Sequence, residues 1–508
     1  MRALARFAVA ALPLALSACI RLGPDYQLPA EAVVNKPQAQ APFEMGHGAE
    51  VSQEDLPADW WQLYRDPKLD ALVHEALARN TDLRQAYFNL RRAFEGFMMA
   101  RSANDPQFIA EGSTGRGQIS SQSLALMQKL PVMNLTSVLG EVSYQLDLFG
   151  KLKRATESAA ASTQASQAVL DTARITVVAQ VVRSYMESCH ASEELEIAEH
   201  SLEIQERELE VARRLFEGGR GNEVDVSRAQ AQAESLRAQI PPFESKKAAA
   251  LYQLSALLGR TPGDLPPGAA ACKHAPQLAE SLPVGDGAAL LRRRPDIRAA
   301  ERELAAATAD IGVSIAEMYP EVSLFANFGY TGISDYIGTG LTRRWMFGPK
   351  IMWHFPTGVD RARVRASEAG AGAALAHFDG VVLNALRETQ TLLTHYEHDL
   401  VRNQSLREAR DAARDAAEYN RRLYREGRLP YLDSLDADRT LASAEATLAE
   451  SESQLSMDQV NLFLALGGGW ENARGESERI GEAKSAKHGS PAPESGTRAA
   501  GTASRSAY

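Results

Sequence analysis

Arg213-Arg214-Leu215-Phe216-Glu217-Gly218-Gly219-Arg220 returns later in the chain as Arg421-Arg422-Leu423-Tyr424-Arg425-Glu426-Gly427-Arg428, an offset of 208 residues. The offset persists downstream: Asp225 meets Asp433, Ala229 meets Ala437, and Leu258-Gly259 meets Leu466-Gly467. Upstream, Asp82-Leu83-Arg84 and Ala86 match Asp296-Ile297-Arg298 and Ala300, and Pro106 matches Pro320, now at an offset of 214. Self-similarity at a long fixed period means that one structural unit is used twice. The six-residue change of offset falls between Pro106 and Gly150, so the copies differ in length there.

Each copy has the same internal order. Residues 68–104 carry apolar side chains at helical spacing (Leu69, Leu72, Val73, Ala76, Leu77) until Pro106 stops them. Residues 107–147 alternate instead, with Gly and Ser between two halves, which predicts a β-hairpin. From Lys151 to Phe216 neither Pro nor Gly interrupts an Ala-, Gln- and Glu-rich helix, and a second helix is expected from Glu223 to Leu258, running through Pro241-Pro242. The second copy repeats this as helix 295–318, hairpin 321–355, helix 361–425, a turn at Gly427 and helix 431–466. At 1.5 Å per residue the uninterrupted helix is roughly 100 Å long, about the length of two shorter helices end to end. The economical packing is a rod, with a long helix beside a stacked pair, a glycine turn at one end and the hairpin at the other.

Composition sets the class. The 508 residues are 44% apolar and 7% aromatic, with 55 Lys and Arg against 65 Asp and Glu. Mean hydropathy is −0.28, and no 18-residue apolar run occurs outside the extreme N-terminus, which excludes a polytopic helical membrane protein. The acidic balance argues against a nucleic-acid binder, which needs clustered cations for phosphates. Arg2 and Arg6 precede the apolar stretch Phe7–Ala18, the pattern of an export signal. Its end, Leu16-Ser17-Ala18-Cys19, resembles a bacterial lipobox with Cys19 as the acylated first mature residue. Removing both arginines takes the formal charge from −10 to about −12. Arg21 is not the Asp that commonly marks inner-membrane retention, so the resemblance to sorted lipoproteins favours the outer membrane. Cys189, in a helical stretch, and Cys272, in a Gly/Pro-rich linker, read as reduced, inert thiols.

The hairpins carry the membrane argument. Phe325, Phe328, Tyr330, Tyr336, Trp345, Phe347, Trp353 and Phe355 crowd into one of them, about a quarter of all aromatics. Aromatic girdles at both interfaces mark transmembrane strands. Four strands cannot close a barrel, and an open edge in lipid leaves backbone groups unpaired. Two copies would give eight strands, filled by side chains, whereas three give twelve and can leave a lumen.

Several motifs together resemble the NodT-type outer-membrane efflux lipoproteins, relatives of TolC. They are Leu291-Arg292-Arg293-Arg294-Pro295-Asp296-Ile297-Arg298-Ala299-Ala300-Glu301 with Ile311-Gly312-Val313, Gly23-Pro24-Asp25-Tyr26, Trp60-Trp61 before Asp66-Pro67, and Leu146-Asp147-Leu148-Phe149-Gly150-Lys151. The likeness covers about residues 16–470. It implies a mainly α fold with a transmembrane β part: a homotrimer with a 12-stranded outer-membrane β-barrel, four strands per protomer, continued by a periplasmic α-barrel. The implied partners are a periplasmic membrane-fusion adaptor, an inner-membrane transporter, usually of the resistance-nodulation-division class, and outer-membrane lipid. The expected organisation is a signal peptide 1–18, a lipidated segment 19–67, repeats 68–259 and 295–467 around a linker 260–294, and a disordered tail 471–508.

The resemblance also carries over the site. Tyr424-Arg425-Glu426-Gly427 and Tyr431-Leu432-Asp433-Ser434-Leu435-Asp436-Ala437-Asp438-Arg439 match the segment that closes the periplasmic end in that family. Leu432 corresponds to an apolar constriction, Asp436 to an acidic ring, and Arg439 to a charge that can tie helices shut; Tyr424 and Asp433 belong to the same gate segment. A plainer account is that these aspartates solvate a helix start and favour its dipole. The turn in the first copy, with Gly219, Asn222 and Asp225, resembles the outer helical tip, and with Gly427 it would meet the adaptor. One departure stands out: the family's second hairpin ends in an aromatic followed by Asp-Gly-Gly-Arg, where this chain has Phe355-Pro356-Thr357-Gly358-Val359-Asp360-Arg361. A differently shaped joint is expected there.

No enzymatic constellation emerges. His74-Glu75 lacks a second His four residues on, and Gly112, Gly115 and Gly117 lack the Gly-Lys-Ser/Thr ending of a phosphate loop. His395, Glu397 and His398 sit on a helix where a solvated face is the simpler account than a metal site. No cofactor is expected beyond the acyl chains at Cys19. Two non-enzymatic alternatives share parts of this pattern: the exit duct of a type I protein-secretion system, and a lipid-anchored coiled-coil scaffold without a pore.

Overall fold

The computed structural model describes residues 21–44, 51–125 and 127–468, so Cys19 and the tail 471–508 lie outside the described residues. The elements used below are α1 (Pro67–Arg79), α2 (Thr81–Ser102), β1 (Gln107–Gly117), β2 (Met133–Leu146), α3 (Lys151–Glu217), α4 (Glu223–Arg237), α5 (Ile240–Leu257), α6 (Gly287–Arg293), α7 (Pro295–Ala316), β3 (Glu321–Ile333), β4 (Arg343–Met352), α8 (Gly358–Arg425) and α9 (Tyr431–Leu466).

Two expected helices are broken in the structure. The run expected over 68–104 divides at Asn80, whose extended backbone ends α1 and whose side chain caps α2 by accepting from the amides of Asp82 and Leu83. The helix expected over Glu223–Leu258 divides at Ala238-Gln239, because Pro241 and Pro242 lack amide hydrogens and are tolerated only in the first turn of a new helix, α5. The long helices persist at 67 and 68 residues. At the noted departure, Thr357 and Asp360 form a capping box, which starts α8 at Gly358, three residues earlier than expected.

The hydrogen bonds of the turns repeat with the sequence. Arg220 N–H donates to Leu215 O and Arg428 N–H to Leu423 O, each at 2.9 Å or less, closing the same reversal in both copies. Gly219 and Gly427 occupy the left-handed region, with φ of 67° and 70°.

Just below the sheet the helices lie side by side in the order α2, α3, α7, α8, so α2 and α8 are the open edges. Farther down, α4 and α5 pack on α3, α9 packs on both α3 and α8, and two helical hairpins thereby stand against each other. The largest core gathers at mid-height, where Trp60 stacks on Phe463 with ring centroids 4.5 Å apart, among Val178, Tyr185, Leu254 and Leu393. Here Val51–Ser52 pairs in parallel with Leu282–Pro283 from the linker.

Residues 21–44 run as a strap from beneath the sheet to this belt. Arg154, 1% exposed, donates to the carbonyls of Leu22 and Gly23 and pairs with Asp25 at 2.8 Å. Tyr26 donates to Glu301 and Val33 N–H to Asp379, farther along. Gly23 and Gly312 approach so closely that a Cβ on Gly23 would lie 2.5 Å from the Cα of Gly312.

Cys189 and Cys272 form a disulfide, with Cα atoms 5.1 Å apart across 83 residues of sequence, which corrects their reading as free thiols. The linker folds back onto α3, and sequence spacing does not reveal that return. The sequence offers a usable signal: with Cys19 set aside as the lipobox cysteine, an even pair of cysteines remains, and disulfides persist in exported chains.

Candidate gate and channel wall

The four strands form one antiparallel meander in the order β1-β2-β3-β4. Residues paired across antiparallel strands share a face. Registers of Phe108 with Val142, Val142 with Ala326, Val138 with Tyr330, Tyr144 with Leu324, Phe328 with Trp345 and Ala326 with Phe347 place all of these on one face. The opposite face carries Glu111, Ser137, Glu141, Ser143, Ser323, Asn327, Thr331, Arg344 and Lys350. The apolar face is exposed, at 57% for Phe328, 67% for Trp345 and 73% for Phe347, where a soluble sheet would cover it with helices. The ring of Phe328 lies over Gly140, which has no side chain to obstruct it. Phe325 is an exception among the eight aromatics: its pairing with Ser143 puts it on the polar face. A sheet with one face of aromatic and aliphatic side chains and one polar face is built to separate lipid from water.

At the far end, the expected gate residues fall into two stripes of α9. Leu432, Asp433, Asp436 and Arg439 are exposed, Leu432 at 43%, whereas Ser434, Leu435, Asp438 and Leu441 are buried. Spacings of three and four generate both stripes, so one helix face grips the protomer and the other is free. Asp433 and Asp436 form no ion pair among the described residues, and neither does Arg439. Tyr424 meets Tyr431 across the tip with ring centroids 5.6 Å apart, and Tyr431 packs onto Leu209, Ala212, Ala229 and Ala233 of α3 and α4. In the first copy, the Asn222 side chain accepts from Asp225 N–H and caps α4, so it is committed to the turn. Burial, then the charge of Glu208 and, less, that of the half-buried Asp225, push the hydroxyls of Tyr424 and Tyr431 up.

Sequence reasoning missed the group behind this surface. Arg421 Nε donates to Asp438 Oδ1 at 2.7 Å, and Asp438 is only 9% exposed. Glu208, from α3 in the other copy, points a buried oxygen at the same carboxylate, and burial followed by its bond to Asp438 pushes the Glu208 carboxyl up to about 8. In the sequence Arg421 belongs to the repeated turn and Asp438 to the segment at the start of α9, and neither position points to the other. Glu208 has no sequence signal, because its equivalent in the second copy is another residue, Phe216 being matched by Tyr424 but Glu208 by Ala416.

A four-stranded sheet with one exposed apolar face, set on long paired helices that reverse at a hairpin tip, defines the protomer of a class of outer-membrane channel. The chain belongs to the outer membrane efflux protein family, whose sequence profile matches residues 72–260 and 288–468. It is an outer-membrane efflux channel. Nodulation protein T of Rhizobium leguminosarum bv. viciae is 29% identical over 479 residues, covering 93% of this chain and 95% of that protein. The antibiotic efflux pump outer membrane protein ArpC of Pseudomonas putida is 31% identical, covering 92% and 97%. The solved structure of the outer-membrane channel OprN superposes with a TM-score of 0.81 at 34% identity, covering 89% of this chain and 99% of that one.

Proposed function

We propose that three copies of this chain close edge to edge into a 12-stranded barrel in the outer membrane and a helical barrel in the periplasm. This trimer is the passive exit duct of a tripartite system, in which an inner-membrane transporter of the resistance-nodulation-division class delivers drugs or other small molecules through a periplasmic adaptor. The observation that carries the reading is the coincidence of open edges: β1 and β4 end the sheet directly above α2 and α8, which end the helical layer. Unpaired strand edges cannot stay in lipid, where each unsatisfied backbone group costs several kcal/mol. The helical edges are complementary in size. α2 exposes Tyr87, Phe88, Phe94 and Met99, whereas α8 has an apolar stretch left largely exposed and offers open space at Gly370, Gly372 and Gly380. Side chains of one copy fit the shallow face of the next, and the rotation closes as a ring.

The duct makes and breaks no bonds; it conducts, and its cargo is set by the transporter. Acyl chains at Cys19 anchor the strap that Arg154 clamps. Leu432, Asp433, Asp436 and Arg439 face the threefold axis as rings of three, closing the periplasmic end by dewetting and selecting cations. Gly219, Asn222, Asp225 and Gly427 shape the tips that meet the adaptor. Conductance of the purified trimer in planar bilayers tests this. Leu432→Ala with Asp436→Ala should raise conductance at pH 7 severalfold, and a double variant as closed as the parent would refute the gate.

A further inference from the structure

Glu208 on α3, Asp438 on α9 and Arg421 on α8 join the two copies of the repeat at the level of the tip. Asp438 uses Oδ1 for Arg421, and its Oδ2 is sealed from water without a donor; Glu208 Oε2 is likewise sealed. Two carboxyl groups in contact, each with an orphaned oxygen, are satisfied together when one proton lies between them: the neutral acid donates and the carboxylate accepts. Arg421 then balances the one remaining negative charge.

We propose that Glu208 is a positioning residue for the gate, and that the proton it shares with Asp438 latches the α8–α9 hairpin against α3 and α4. The proposal rests on the gate reading above, since the latched face of α9 is the back of the exposed Leu432 and Asp436. Loss of the proton leaves two carboxylates against one guanidinium in a buried site, and the repulsion separates the hairpins. The other charged and titratable groups around the latch do not replace that proton. Asp225 of α4 adds negative charge, Tyr424 and Tyr431 are held neutral by burial, Glu445 of α9 is pushed up by burial, and Arg439 lines the same crevice from α9. His200 on α3 and Arg410 and Arg414 on α8 face Glu445.

The direction follows from linkage. In the latched state Glu208 holds its proton more tightly than a hydrated carboxyl does, so that state binds more protons between the ordinary value of 4.5 and about 8. Its advantage over the released state is therefore greatest in acid and falls as pH rises through that window, by at most about tenfold in the equilibrium per pH unit, levelling above it.

The experiment is conductance of the reconstituted full-length trimer from pH 5 to pH 9, for the parent, Glu208→Gln and Asp438→Asn. Each amide keeps the shape and supplies a permanent N–H donor to the remaining carboxylate. The parent should open progressively between pH 5 and pH 8 and plateau, while both variants stay closed with flat profiles. A flat parent profile, or variants that rise as the parent does, would overturn the latch. The Leu432→Ala, Asp436→Ala variant separates the two failures: if it opens at every pH while the amide variants track the parent, the latch is wrong and the gate stands; if it stays closed, the gate itself is wrong. Trimer recovery on size exclusion confirms that each amide variant assembles.

Discussion

Arg294 Nη1 donates to the carbonyl of Ala465 at 2.8 Å, the same junction that Asn80 Nδ2 makes to Leu257 O at 2.9 Å in the first copy. Arg294 and Asn80 are related by the offset of 214, Ala465 and Leu257 by 208. Each ties the start of one helix to the end of another just before a left-handed glycine, Gly467 or Gly259. Arg294 does more, because it also holds Asp296 at 2.7 Å and Glu388 at 2.9 Å. Arg294→Ala should therefore destabilise by about 2–4 kcal/mol, leaving carboxylates without their cation, whereas Asn80→Ala loses mainly a cap, about 1 kcal/mol. Denaturant unfolding of the two variants measures the difference; equal losses would show that the ion pairs contribute little.

Cys189 and Cys272 close a loop that contains the lower half of α3, the tip, α4 and α5. Non-reducing peptide mapping should recover them as one linked peptide. Replacing both with Ser should lower stability by about 4.5 kcal/mol, the loop-closure entropy expected for a loop of this size.

His190 is 5% exposed, with Nε2 2.9 Å from Ser456 Oγ. Burial, and then the Lys246 cation, depress its imidazole from 6.5 to about 4, although Glu193 lies 3.9 Å away. The unfolded chain therefore binds more protons between those values, and stability falls as pH drops from 6.5 towards 4. His190→Gln should remove about 2 kcal/mol of that acid sensitivity. Unfolding at pH 7 and pH 4.5 tests it: an unchanged slope would assign the acid loss elsewhere.

Phe328 and Asn327 are neighbours on opposite faces of β3. Phe328→Arg should destabilise the inserted barrel by about 2–4 kcal/mol, as for a cation on the lipid face. Asn327→Arg should insert normally and shift ion selectivity towards anions. If both variants insert alike, the faces are assigned wrongly.

Labelled palmitate should enter the parent protein and not Cys19→Ser. Equal labelling would remove the anchor and leave the strap held by its contacts with Arg154, Glu301 and Asp379.

Periodicity carries much of this molecule. The repeat, the Gly219 and Gly427 reversals, the hairpins and the free stripe of Leu432, Asp436 and Arg439 are all local patterns, because a helix or strand imposes its spacing on the residues within it. The Pro241-Pro242 break is equally local, but spacing alone does not place it, since two prolines end one helix as readily as they begin the next. The Asn80 break had a capping signal in Asn80 itself, followed by Asp82 in the first turn.

Other features depend on which elements meet. The Cys189–Cys272 bridge needs the linker to return to α3. The Glu208, Asp438 and Arg421 cluster draws one side chain from each of three helices, spread over 230 residues of sequence. Strand register decided that Phe325 faces away from the other aromatics of its hairpin. Sequence by itself determined the unit, its repetition and the period of each face, because those follow from backbone geometry alone. Tertiary structure decided which faces oppose one another, and with that which carboxyl groups are buried in contact, because proximity between distant segments is set by packing.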